Sequence, residues 1–140
     1  MELNECWKKK YIRKVEVNIP LARSLIEMSG VNENSVNTAV IDEENISSYV
    51  YLAYESLREV LEAISLLKGC KVLNHICLGE LLNELLDDFD FNSFDRFRYI
   101  RNGIGYYGRK VGYGEGKEII TKIFSMKKLL YDKYIINLLK

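Results

Sequence analysis

Between positions 98 and 109 the chain reads R-Y-I-R-N-G-I-G-Y-Y-G-R, which gathers three arginines, one asparagine and three tyrosines into one short segment. Guanidinium forks match phosphate oxygens, and amide and phenol groups add neutral donors, so these residue types suit an anion site. At helical spacing Arg98, Arg101, Asn102, Gly105, Tyr106 and Arg109 share one face, opposite an apolar stripe of Phe94, Phe97, Ile100, Ile104 and Tyr107. Gly103 and Gly105 leave room there for a ligand, a backbone or another helix. The competing reading is that Asn102-Gly103 ends the helix and the arginines are a solvated face, since helix ends commonly carry such residues.

The same stretch contains G-I-G-Y-Y-G, and six of the nine glycines fall between Gly103 and Gly116. A dinucleotide fingerprint needs a buried strand before its first glycine and a helix opening after it, because the pyrophosphate sits on that helix's N-terminus. Here the preceding DRFRYIRN is charged and helical in period, and the following RKVGYGEG reads as a turn. The later G-E-G-K lacks the gap and the Ser or Thr of a Walker loop. The glycine reading fails for want of context.

Other chemistry-bearing residues are sparse. His75, the only histidine, follows Asn74 at an expected helix start and reads as a capping or surface residue in another part of the bundle. Glu55, Arg58, Glu59 and Glu62 form a charged strip at i, i+3 and i+4 spacing, ordinarily a solvated face. If that strip packs on the arginine segment, Glu55 or Glu62 would orient Arg101. Tyr49, Tyr51 and Tyr54 read as packing residues flanking the apolar face of the same helix. Lys8, Lys9, Lys10, Arg13 and Lys14 form the densest basic cluster.

The elements that must position these groups are helices. Residues 45–68 carry Val50, Ala53, Leu57, Val60, Leu61, Ile64 and Leu67 on one face, with Asn45 or Ser47 as the cap and Gly69 as the stop. A short basic helix is expected over 1–14. Pro20 suits the first turn of the next helix, which continues or breaks near Gly30. Asn74 caps a helix over the following leucine-rich stretch, and Asn92 or Ser93 opens the arginine helix. A last helix runs from about 115 to 138, with Ile119, Ile120, Ile123, Phe124, Met126, Leu129, Leu130, Tyr134 and Leu138 inward. Long helices and short loops predict an all-α, antiparallel up-and-down bundle of about five helices.

Composition is consistent with one domain of 140 residues whose 20 basic and 20 acidic side chains leave no net charge. Binding of nucleic acid therefore needs a local patch rather than a global field. Cys6, Cys70 and Cys77 are odd in number and lack CxxC spacing, which argues against a disulfide framework and a zinc site and predicts a reducing, cytoplasmic setting. The N-terminus has no apolar leader pattern, and no stretch is apolar enough to span a membrane. No metal or cofactor is expected.

The segments YESLREVLEAISLLKGCKVLNH and FDRFRYIRNGIGYYG resemble the HEPN domain superfamily, especially its prokaryotic and archaeal members, across residues 15–138. The resemblance implies a homodimeric helical bundle, often a metal-independent endoribonuclease of toxin–antitoxin or other defence systems. The family site resembles Arg-Asn-x-x-x-His, facing its copy across the dimer. Carried over, Arg101 and Asn102 match, and Tyr106 stands where the histidine is expected. Histidine suits the proton transfers of RNA cleavage, whereas a phenol of pKa about 10 is ionised to roughly one part in a thousand at pH 7. Losing general acid–base help costs about 10²–10⁴ in rate. The expected function is thus RNA or nucleotide binding with weak or absent cleavage, by Arg101, Asn102 and Tyr106, with Arg98, Arg109, Tyr107, Glu55 and Glu62 as further binding candidates. The resemblance also implies an alternative, a non-catalytic module partnered by a small nucleotidyltransferase antitoxin that attaches AMP to a tyrosine. Tyr106 or Tyr107 would be the acceptor, although the family's tyrosine position falls on Gly108. A structural dimeric bundle is the remaining possibility.

Overall fold

The apolar spacing over 45–68 becomes the central helix of an all-α bundle in the computed structural model, which describes the backbone of residues 1–138 and the side chains of 1–137. In chain order the elements are α1 (Leu3–Lys8), β1 (Ile12–Lys14), α2 (Ile19–Thr38), α3 (Ile46–Leu67), β2 (Cys70–Val72), α4 (His75–Leu85), α5 (Phe91–Tyr107) and α6 (Tyr113–Leu130). From Val60 to Leu67 every residue of α3 except Glu62 is buried, because α2, α6, α5 and α4 all pack against it. A helix apolar on nearly all sides belongs in the middle of a bundle.

Local chemistry explains most boundaries. Asn18 accepts a hydrogen bond from Leu21 N (3.0 Å) and Pro20 occupies the first turn of α2. The helix does not break at Gly30. Ala22, Ser29 and Val36, seven residues apart, form a buried seam on α3, and that packing outweighs the roughly 1 kcal/mol a glycine costs a helix. Asn74 caps α4 by accepting from Cys77 N at 2.8 Å. The cap of α5 is Asp90, not Asn92 or Ser93; its carboxylate accepts from Ser93 N (3.1 Å) and Ser93 Oγ (2.7 Å). Neither Asn45 nor Ser47 caps α3 by side chain: Asn45 Oδ1 accepts from Asp42 N, and Ser47 Oγ accepts from Val111 N.

Three further expectations are corrected. The N-terminal helix ends at Lys8, and Ile12–Lys14 instead forms an antiparallel pair with Cys70–Val72, Ile12 facing Val72. Three residues are too few for a period-two pattern to show in the sequence. The last helix begins at Tyr113 and gives way to a π-helical turn over Tyr131–Ile135, where Lys133 Nζ and Tyr134 Oη both reach the Asp88 carboxylate at 2.5 Å; Leu129 is 57 % exposed rather than inward, and the Leu138 side chain lies outside the described residues. Finally, Cys6 and Cys77 are joined in a buried disulfide between α1 and the first turn of α4, while Cys70 is free and buried. An odd cysteine count does not forbid one bridge, and contact between residues 71 apart has no local signature. Among the described residues no helix is long and apolar enough to cross a membrane.

Candidate anion-binding cleft

The arginine helix continues through Asn102-Gly103 to Tyr107 and ends at Gly108, whose φ of +62° is the left-handed conformation that closes helices. Arg109 N donates to Gly103 O at 2.9 Å to complete that end. Arg101 and Asn102 therefore sit inside a helix whose Phe94 and Phe97 are buried in the core. Tyr107 is not part of the buried stripe, being 73 % exposed.

Arg101 is held on three sides. Its Nη2 donates to Tyr51 Oη at 2.6 Å, its Nη1 to Asn102 Oδ1 at 3.1 Å, and Glu55 Oε1 lies 3.7 Å away as an ion-pair partner. The guanidinium carbon lies 4.6 Å from the Tyr51 ring centre, 5.9 Å from Tyr54 and 5.6 Å from Tyr106. Its side chain is 12 % exposed, and its buried Nε–H has no hydrogen-bond partner among the described residues. A guanidinium has five N–H donors; two are spent on Tyr51 and Asn102 and the Nε–H is buried, which leaves the second N–H of each terminal nitrogen for a ligand. Gly105 makes the arrangement possible: a Cβ there would lie 2.9 Å from Tyr51 Cε2, so only glycine lets that ring slide under α5.

Across from this cluster stands the start of α4. Leu73, Asn74, His75 and Ile76 line one wall of an open cleft of about 340 Å³, and Arg98, Arg101, Asn102 and Tyr106 line the other. The first backbone N–H groups of α4 have no carbonyl behind them and carry the positive end of its dipole. Arg98 is braced by Asp95, whose Oδ1 accepts from Nε at 3.2 Å and Nη2 at 2.8 Å. None of the lining side chains is a carboxylate. The cleft therefore offers positive charge and donors from two helices, which suits a phosphate.

His75 is the member that sequence reasoning set apart. Its Nδ1 lies 3.1 Å from the hydroxyl of Tyr54, which is fully buried. Burial, then the charges of Arg101 and Arg58, push its pKa down to about 4, against the pull of Glu55, so the imidazole is neutral at pH 7. Burial also raises the Tyr54 phenol, opposed by Arg101 and Arg98, so Tyr54 stays protonated. Tyr51, Tyr54, Glu55 and Arg58 fall at i, i+3, i+4 and i+7 on α3, a shared face that their spacing carries but that nothing in the sequence ties to α5.

The remaining candidates lie elsewhere. Glu55 is shared between Arg101 and Arg58 (2.9 Å), whereas Glu62 binds Arg58 at 2.5 Å and lines a different hollow with Leu25 and Leu66. Arg109 packs against Gly103, approaches Tyr99 Oη at 3.4 Å and sits over Tyr107, and neither Arg109 nor Tyr107 lines the cleft. Lys8 and Lys9 line a separate surface hollow with Glu2 and Glu5. No protein-family model, no curated protein and no solved structure matches the chain.

Proposed function

We propose that this chain is a HEPN-like RNA-binding protein, acting as a homodimer, that seats a phosphate of a single strand between α4 and α5 and cuts it weakly or not at all. The observation that carries the reading is Arg101: a mostly buried guanidinium fixed by Tyr51, Asn102 and Glu55, opening with Arg98 onto a cleft that has no carboxylate. Such a fixed fork loses little freedom on meeting a phosphate. Tyr106, 72 % exposed and beside Arg101, supplies a face for a base next to the phosphate seat, which favours a nucleotide chain over a bare anion. Weak cleavage follows from the lining: its only titratable groups besides the arginines are a histidine of low pKa and a tyrosine, and neither is a good base for a 2′-hydroxyl at neutral pH.

The test is incubation with a mixed, labelled single-stranded RNA in EDTA, beside Arg101→Ala prepared identically. The wild type should retain intact RNA, and the variant should lose about 10–100-fold in affinity, the worth of a charged hydrogen-bonding partner. Equal retention by both proteins, or none by the wild type, would refute the reading. Light scattering on the same sample reads the dimer.

A further inference from the structure

The tautomer of His75 is set by the core rather than by solvent. Tyr54 is fully buried, and among the described residues His75 Nδ1 is the hydrogen-bond partner of its hydroxyl, at 3.1 Å. A buried hydroxyl proton left without an acceptor costs its full desolvation penalty, so the phenol donates and Nδ1 accepts. In a neutral imidazole the proton then resides on Nε2. His75 is only half-buried and lines the cleft, and with Nδ1 turned to the core, Nε2 is the nitrogen left for that opening. The low pKa of the ring agrees with this geometry, since burial and the neighbouring arginines keep the second proton off.

We infer that His75 is a phosphate-binding donor, its Nε2–H fixed by the hydrogen bond from Tyr54 to Nδ1, and that it faces Arg101 across the cleft. The inference rests on the phosphate-binding reading and sharpens it. The family's missing histidine is not replaced by a base, because a nitrogen that already carries a proton cannot accept one from a 2′-hydroxyl. Tyr54 is the positioning residue. Together with Arg98, Arg101, Asn102 and the first turn of α4, the Nε2–H would make a seat of donors, suited to holding a phosphodiester intact.

The chain has one histidine, so its imidazole nitrogen resonances assign themselves. In protein alone, at pH 5 to 8, the ring should show a proton on Nε2 and none on Nδ1. Adding a short single-stranded RNA should shift the Nε2–H signal. His75→Ala should weaken binding about tenfold, the effect of losing one hydrogen bond to a charged group. His75→Gln, which keeps a neutral donor of similar reach, should retain most of the affinity that His75→Ala loses. Tyr54→Phe, nearly isosteric in the core, should mix the two tautomers and weaken binding several-fold. A proton on Nδ1, or an Nε2 signal indifferent to RNA that still binds through Arg101, overturns the inference and leaves the phosphate reading standing. RNA that does not bind the wild type at all removes both.

Discussion

At Gly105 the missing side chain leaves room for the Tyr51 ring, which holds Arg101 at the edge of the cleft. Alanine there would gain about 1 kcal/mol of helix propensity, yet its methyl would press on the Tyr51 ring whose hydroxyl holds Arg101. We therefore expect Gly105→Ala to leave the melting temperature within a few degrees of wild type while RNA affinity falls several-fold; unchanged affinity by fluorescence anisotropy would count against the Tyr51–Arg101 coupling. His75 makes a second prediction. Its folded pKa of about 4 lies below the ordinary imidazole value of 6.5, so between those values the unfolded chain binds more protons. Its stabilising contribution is complete above pH 6.5 and is lost as pH falls toward 4, on the order of 1–2 kcal/mol once partial solvent screening of the ring is allowed for. Relative to His75→Gln, wild type should lose more stability in chemical denaturation between pH 7 and 4.5; parallel curves would contradict it. Arg98, Arg101, Asn102 and Tyr106 were legible as one face because they share one helix. His75, Tyr51 and Tyr54 were not, because they come from other elements, and the spacing within one helix cannot tell which neighbour it will meet.

Elements are positioned by links of very different legibility. The Asn74 cap and the place of Pro20 in the first turn of α2 follow from local chemistry and were readable, whereas Asp90 displaced the equally plausible Asn92 and Ser93 only because its carboxylate reaches two donors of Ser93. The β1–β2 pair and the Cys6–Cys77 bridge are contacts between distant segments, and no periodicity announces them. They matter to the cleft, since β2 leads into Leu73–His75 and the bridge clamps the first turn of α4, two residues after His75. Closing a loop of 71 residues is worth roughly 4 kcal/mol in the chain-entropy account, so Cys6→Ser should lower stability by about that much. Thiol labelling of unreduced, unfolded wild type should count one free cysteine, Cys70; three would show the bridge absent. On the opposite side, Lys127 Nζ from α6 donates to Ser29 O (3.0 Å) and pairs with Glu33 Oε1 (2.8 Å) on α2. Lys127→Ala would remove both of these links between α6 and α2 and should cost about 1–3 kcal/mol, read by chemical denaturation.

For the molecule as a whole, the helical class was legible because apolar periodicity recurs along most of the chain, whereas the central place of α3 was not, because its charged strip reads as a solvated face. Function was legible only as a segment of suitable residue types. With 20 basic against 20 acidic residues there is no net charge to attract RNA at long range, and the binding proposed above would rest on the few charges of one cleft. Two arginines meeting the backbone predict a logarithmic salt slope of about −1.4 for a single strand, far shallower than for a basic nucleic-acid-binding domain. A steep slope would point to the lysines of the N-terminal segment instead. The most direct measurement is a crystal structure grown with saturating short single-stranded RNA. A phosphate lying between the Arg101 guanidinium and the first turn of α4, within hydrogen-bonding distance of His75, is the expected result. RNA seated elsewhere, for example in the apolar hollow lined by Phe97, Met126 and Leu129, or no RNA bound at all, would contradict it.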